Sequence, residues 1–363
     1  MNQSEISNIR LHNQQIAATN LKTPKELAGW MGAMQAQDFN QAKWAIGVRL
    51  PHLTEAQIEL AFNNGEIIRT HLMRPTWHFV SADDIYWMLE LTSPQTKAAT
   101  KARHRDLELT ESILKKSREI LIKTLEGNQS FTLEELKSYF KLGGVNTDEQ
   151  RLYHILMEAE IDSVICSGAM QGKKQTYALL EERVPAKRTL NKDESLALLA
   201  KKYFTSHGPA TLPDFLWWSG LPVADARSAL EMNKPTLISE TIDFETYWFA
   251  EPVSKPASPT NSVYLLPAFD EYLISYKNRS AAITIDHHKK AISNNGIFRP
   301  IIVVNGQISG LWKRTIKKDL VLIELDHFRA HNKTEESLIL KAAESFGQFS
   351  GKKTELKLNT KPD

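Results

Sequence analysis

Between residues 111 and 250 the apolar positions recur at helical spacing, and the places where the rhythm stops divide the chain into units. Leu114, Ser117, Leu121 and Leu125 lie on one face of a helix predicted over residues 111–126, which Gly127-Asn-Gln-Ser130 ends. Thr132 with Glu135 three residues on reads as a capping box, opening a second helix whose Leu133, Leu136 and Phe140 face inward as far as Gly143-Gly144. Thr147 with Gln150 repeats the capping pattern ahead of Leu152, Ile155, Leu156 and Ala159. Strand-like residues 164–166 and 176–179 then flank a loop, 167–174, tipped with glycine and lysine. Three helices followed by a two-stranded ribbon predict a winged helix.

A related succession follows the linker 184–192. Residues 194–204 have a helical pattern, Thr211 caps a short helix through Trp217, and Pro222 starts a third through Leu230. Candidate strands at 237–240 and 247–250 form its wing. Nearer the start, Thr54 with Gln57 caps a helix to Asn63, and residues 67–72 pair with 76–80 across Met73-Arg74-Pro75. Beyond a Pro- and Ser-rich break at 251–261 the pattern turns strand-like at 263–266, 281–285, 301–304, 308–312 and 320–324, with a final helix at 335–346. The expected fold is α+β: three tandem winged-helix units (1–100, 101–190 and 191–255) followed by a β-rich C-terminal domain (256–363) with a terminal helix.

One pair of residues does not fit this scheme. Leu27, Trp30 and Met34 repeat at helical spacing, so an unbroken helix over 25–34 would carry Gln37 towards the core and swing Gln35 to nearly the opposite side. An unpaired buried amide costs about 1–3 kcal/mol. Either the helix ends near Met34 and extended chain turns both amides towards one cleft, or the two serve unrelated structural needs. Asp38 and Asn40 are candidate N-caps for a following helix over 41–50.

Composition narrows the class. With 363 residues, 42% hydrophobic and 24% charged, the chain can bury a substantial core and divides into units of roughly 100 residues. The single cysteine, Cys166, can form no internal disulfide and reads as core. The start, MNQSEISNIR, has no apolar signal stretch and no segment has the apolar length to cross a bilayer, so a cytoplasmic protein is expected. Net charge is only +2, but from Glu271 to Lys318 nine lysines and arginines face two acids. Lys277 and Arg279 beside Tyr276, and Lys313, Arg314, Lys317 and Lys318 after Trp312, suit neutralisation of a phosphate backbone. Lysines guarding a solvated strand edge are the plainer account.

Read together, Gln35-Ala-Gln37-Asp38, Arg69-Thr-His-Leu-Met-Arg-Pro-Thr-Trp-His78, Pro267-Ala-Phe-Asp-Glu-Tyr272 and Gly306-Gln-Ile-Ser-Gly-Leu-Trp-Lys-Arg314 resemble the bacterial winged-helix DNA glycosylases of the AlkZ type over nearly the full length. The resemblance implies three tandem winged helices and a β-rich domain forming a basic, C-shaped channel, with a Gln-x-Gln signature supplying the catalytic side chains, here Gln35 and Gln37. A sister branch carries Gln-x-Asp; in this chain the acid is displaced to Asp38, which is left as a cap or orienting group. The expected protein is a monomeric, monofunctional glycosylase that needs no cofactor or metal. It acts on N7-alkylated purines in double-stranded DNA and extends to unhooking interstrand crosslinks.

The chemistry accounts for amides where most glycosidases place carboxylates. Alkylation at N7 makes the purine cationic, so the base leaves without a general acid and only water placement remains. Expected DNA contacts are Arg69, Arg74, His78, the wing lysines Lys173 and Lys174, and Lys277, Arg279, Lys313, Arg314 and Lys317 of the tail. For His78 a structural role competes; for Arg69 and Arg74, pairing with Asp83 or Asp84 competes. Asp270 and Glu271 read most simply as a salt bridge to Arg279, Trp217-Trp218 as core, and His287-His288 as unconnected with metal. A winged-helix transcription regulator without catalytic activity is the alternative, but it lacks an evident dimerising element. An RNA-binding or protein-scaffolding module is a third reading.

Overall fold

Capping chemistry sets most of the helix starts. Capping boxes open α1 (Gln3–Asn13), α2 (Pro24–Met31), α4 (Glu55–Asn63), α7 (Leu133–Leu142), α10 (Lys192–Ser206), α11 (Leu212–Ser219) and α15 (Lys333–Ser350). Asp38 and Thr110 cap α3 (Phe39–Gly47) and α6 (Glu111–Leu125) alone. The pattern expected at Thr147 and Gln150 does not form: α8 (Arg151–Ile161) begins without a side-chain cap, Glu149 stands at φ 55° and Gln150 Oε1 accepts instead from Arg103 Nη2 at 3.0 Å. The computed structural model describes residues 1–251 and 261–358, so most of the break read at 251–261 lies outside the described residues.

The architecture is mixed α+β. β1 (Ala33–Gln35), β2 (Ile67–Leu72) and β3 (Arg74–Ser81) form a three-stranded sheet in the order β1-β3-β2, followed by the long α5 (Ile85–Asp106). Then come α6, β4 (Phe131–Thr132), α7, α8, β5 (Ile165–Ser167) and β6 (Thr176–Leu179), whose strands form the sheet β4-β6-β5, and the short α9 (Leu180–Arg183). Next come α10, α11 and α12 (Val223–Asn233), then the ribbon of β7 (Leu237–Ile242) and β8 (Glu245–Ala250). The tail contributes β9 (Val263–Leu266), α13 (Glu271–Ile274), α14 (Ile285–Ala291), β10 (Ile301–Val304), β11 (Gln307–Ile316), β12 (Leu320–His327), α15 and β13 (Lys353–Leu358), with sheet order β13-β12-β11-β10-β9.

Several elements differ from expectation for local reasons. Residues 281–285 are not a strand, since Ala282 and Ile283 turn back to donate to the Arg279 carbonyl at 2.9 and 3.0 Å before α14 starts. α5 runs through Pro94, which its neighbours tolerate, and its extent was not legible from the pattern. β13 is amphipathic edge strand, parallel to β12. Cys166 is fully buried, as read. Trp218 is buried, but Trp217 is 40% exposed and is not core.

The first sheet is buried on both faces. Ala33, Ile68, Leu72 and Val80 pack towards α5, α10 and α11, whereas Met34, Ile67 and Phe79 pack with the tail sheet and α15. Residues 107–179 build a separate core of their own. The strand β1 exists because α2 stops at Met31, three residues before the expected end. Gly32 turns the chain at φ 78°, where an added Cβ would also stand 3.4 Å from Trp218 Cη2. Gly32→Ala should therefore cost about 1–3 kcal/mol in urea unfolding. Gly172→Ala, at φ 61° in open space, should cost only the backbone part, about 1 kcal/mol.

Candidate active site

β1 pairs antiparallel with β3, Ala33 with Val80, Met34 with Phe79 and Gln35 with His78. The Ala36 N–H donates to the Trp77 carbonyl at 2.7 Å, so the extended path continues beyond the strand. Alternation sorts the side chains along β1: Met34 and Ala36 enter the core shared with the tail and Gln35 follows Ala33 to the other side, whereas Gln37 lies in the bend that follows. The helix thus ends before Met34, and Gln35 lies in extended chain. Gln35 is 6% exposed and its Oε1 accepts from Thr76 Oγ1 at 3.4 Å. Gln37 is exposed, and its side-chain amide has no hydrogen-bond partner among the described residues.

The backbone of this segment is gripped from two sides. Glu271 Oε1 accepts the Gln35 N–H at 2.5 Å. Arg69 donates Nε to the Ala36 carbonyl at 2.9 Å, Nη2 to the Gln37 carbonyl at 3.3 Å and Nη1 to Gln175 Oε1 at 2.7 Å, with its guanidinium 4.2 Å from the Trp77 ring centre. Asp38 caps α3 by accepting from the Asn40 and Gln41 N–H groups at 3.0 and 3.1 Å, while Asn40 lies inside that helix. Arg69 is thereby spent on holding the signature segment, and being 6% exposed it is not available to a phosphate in this arrangement.

Glu271 is itself held from behind. Asp270 forms a two-pronged ion pair with Arg49 at 2.8 and 2.9 Å and caps α13 at the Tyr272 N–H. Neither acid pairs with Arg279, whose Nε donates instead to the Leu273 carbonyl at 3.0 Å. Burial pushes the Glu271 carboxyl up, but His207 at 3.5 Å, the Ser275 hydroxyl and the Gln35 N–H outweigh it and hold the group ionised, well below the usual carboxylate range. Burial holds His207 down.

His78 is 1% exposed and uses Nδ1 on the Thr76 carbonyl at 2.9 Å. Burial, then the neighbouring Arg74 charge, lower it to about 3, so it is neutral. It braces the hairpin and presents no surface to DNA. Asp83 and Asp84 pair with Lys25 and Lys202 at 2.8 and 2.9 Å, not with Arg69 or Arg74. Arg74 lies beside Trp217, as does Arg279.

The remaining basic residues lie further out. Lys173 and Lys174 are exposed at the tip of the β5–β6 loop, next to the Gln175 that meets Arg69. Lys277 and Arg279 line an open cavity of about 460 Å³ with Thr211, Glu245 and His288. Lys313 and Lys317 are exposed on and just after β11, and Arg314 donates to Gln41 Oε1 at 2.9 Å and lies over Phe346. Among the described residues no group of three or more His, Cys, Asp and Glu is placed to hold a metal, and no helix is long and apolar enough to cross a membrane.

The family model described as DNA glycosylase AlkZ-like matches residues 28–349. A curated protein of Streptomyces sahachiroi, "Interstrand DNA cross-link repair glycosylase", is 22% identical over 340 residues, covering 86% of this chain and 88% of its own. The solved structure of the Streptomyces sahachiroi DNA glycosylase AlkZ superposes with a TM-score of 0.81 at 17% identity and covers 99% of each chain.

The neutral, buried His78 has a consequence for stability. Its folded pKa lies below the unfolded value of 6.5, so the unfolded state binds the extra proton and the contribution of this residue is lost as pH falls from about 6.5 towards about 3. In urea unfolding across that window, His78→Gln should flatten the pH dependence by up to one proton, about 1.4 kcal/mol per pH unit. A slope equal to the parent's would mean that His78 takes up its proton as readily in the folded as in the unfolded state.

Proposed function

The chain belongs to the AlkZ-like DNA glycosylase family, and from that premise we propose that it hydrolyses the N-glycosidic bond of N7-alkylated purines in double-stranded DNA. We propose further that the three winged units (1–100, 101–190 and 191–255) and the β-rich domain (256–363) surround a C-shaped basic channel in which Gln35 and Gln37 are the catalytic pair. The printed name of the Streptomyces relative supports including interstrand crosslinks among the substrates. A regulator without catalytic activity is not favoured, because the family is one of glycosylases.

The observation that carries this reading is a pair of neutral amides, one in β1 and one in the bend just after it, on a segment whose backbone is fixed independently of them, by Glu271 and Arg69. An N7-alkylpurine is already cationic, so when its bond to the sugar C1′ breaks the electron pair passes to the base, which departs neutral. Water forms the new C1′–O bond and loses its proton to solvent. Catalysis then consists of placing that water as oxocarbenium character develops, and a glutamine can accept from water and donate elsewhere. Gln37, exposed and without a protein partner for its amide, is assigned the water; Gln35, weakly engaged by Thr76, orients it. Both Glu271 oxygens already accept hydrogen bonds, which leaves that carboxylate a positioning group.

Exposed Lys173, Lys174, Lys277, Lys313 and Lys317 are assigned to the DNA backbone, with Arg314 behind them. Duplex affinity should depend weakly on sequence and drop steeply with salt. Lys313→Ala should lower the salt slope by about 1 while leaving the single-turnover rate at saturating enzyme nearly unchanged.

Incubation with a duplex bearing N7-methylguanine, followed by alkaline scission, tests the reading directly. Gln35→Ala and Gln37→Ala should each slow excision by roughly 10²-fold with little change in affinity. Release at the parental rate by the double variant would overturn the catalytic assignment.

A further inference from the structure

Trp217 stands out as a large aromatic that the fold holds at the surface between two guanidinium groups, neither of them in an ion pair among the described residues. Its ring centre is 5.7 Å from the Arg74 guanidinium and 5.2 Å from that of Arg279. Arg74 makes no hydrogen bond or ion pair among the described residues, and its Nε is fully buried without a partner. Arg279 donates only to the Leu273 and Lys277 carbonyls, at 3.0 and 3.5 Å, and packs on Phe298. Burial lowers both, Arg279 to about 10. The nearby carboxylates are committed elsewhere: Glu271 to Gln35 and Ser275, and Asp214 to the Lys277 and Asn278 N–H groups and to Arg10.

This cluster is built onto the candidate active site. The Trp217 indole N–H donates to the Ile274 carbonyl at 2.7 Å, at the end of the short helix that begins with Glu271. α11 closes on Gly220, at φ 67°, where a Cβ would stand 2.9 Å from the Met73 carbonyl, so no larger residue allows the approach that sets Trp217 beside Arg74. Along β3, Arg74, Thr76 and His78 alternate onto the face of the sheet that carries Gln35. Two like charges are taken partly out of water here, Arg74 offset only at a distance by Glu271 and Arg279 by Asp214, and neither in a hydrogen bond or ion pair with a carboxylate, so an anion at close range relieves them. The guanidinium fork matches a phosphate, and an exposed indole offers a face to a base.

We infer that Arg74, Trp217 and Arg279 form a subsite for one phosphodiester of the strand that carries the target nucleotide, with the Trp217 ring against the adjoining base. The inference deepens the proposed glycosylase reading and rests on it for the identity of the strand.

The test uses full-length protein and duplexes with a central tetrahydrofuran abasic-site analogue, in which single phosphates around that site are replaced in turn by neutral methylphosphonate. One position should weaken binding by the parent protein about tenfold. Arg74→Gln and Arg279→Gln should each weaken binding to the unmodified duplex and show no further loss when that same phosphate is neutral. Trp217→Ala should weaken binding several-fold, and Trp217→Phe should restore most of it. Thermal unfolding of each variant identifies any that misfolds, in which case the other arginine variant carries the cycle. Parallel loss of affinity by parent and variants at every position would overturn the subsite. Release of N7-methylguanine is read on the same preparations: excision without coupling removes the subsite and keeps the glycosylase reading, and coupling without excision does the reverse.

Discussion

Arg49 and Asp270 face each other away from solvent, both fully buried, with two hydrogen bonds at 2.8 and 2.9 Å, and the position of the candidate active site follows from that pair. The remaining Arg49 donors go to the Ala45 carbonyl and to the Gln14 carbonyl and side chain, so its charge is fully engaged. Removing one partner of such a pair costs about 3–5 kcal/mol because the other charge is left stranded. Asp270 also caps α13, a four-residue helix too short to stand alone. Glu271 is its first residue. The carboxylate that holds the Gln35 backbone is thus located by a charge that lies just beyond α3.

From there the polar groups divide their duties. The acids close to the signature segment serve structure: Asp38 caps α3, Asp270 binds Arg49, and Glu271 binds a backbone N–H. Arg69, a candidate DNA contact by its position in the hairpin, binds two carbonyls of the same segment. The side chains not consumed in this way are the amides on and just after the edge strand β1 and basic groups further out. A site of that composition has little to offer a leaving group that needs protonation. That composition is the ground for proposing a base that arrives already charged, with orientation of water as the remaining task.

How far this was legible in the sequence depends on the range of the interaction. Capping boxes at Thr54, Thr132 and Thr211 could be read because each is completed within three residues. The turn at Gly32 was harder: its glycine sits inside an apolar helical rhythm that runs on to Met34, and Trp218 is among the groups that make the turn tight. Residues 281–285 carry strand-formers, and only the return to Arg279 makes them a turn. At the site, the pattern singled out Gln35 and Gln37 but paired Glu271 with Arg279, and it gave no sign that Arg69 holds the Ala36 carbonyl. Both concern partners distant in sequence, 33 residues for Arg69 to Ala36 and 236 for Glu271 to Gln35. Trp217 looked like core because Trp218 beside it is core. Successive helical residues point about 100° apart, so adjacency said little.

A three-residue strand such as β1 has too few ladder bonds to fix itself, and in this fold it does not have to. Its backbone is fastened by β3 along one edge, by Glu271 at Gln35 N and by Arg69 at the Ala36 and Gln37 carbonyls, while Met34 and Ala36 anchor it in the core below. None of these fastenings uses a glutamine side chain as its anchor; the Thr76 contact to Gln35 Oε1, at 3.4 Å, is the longest of the set. Stability is carried by main-chain atoms and by residues drawn from the hairpin and the tail. The Gln37 amide is thereby left exposed and without a protein partner among the described residues, which is the freedom that the water-holding role proposed for it requires.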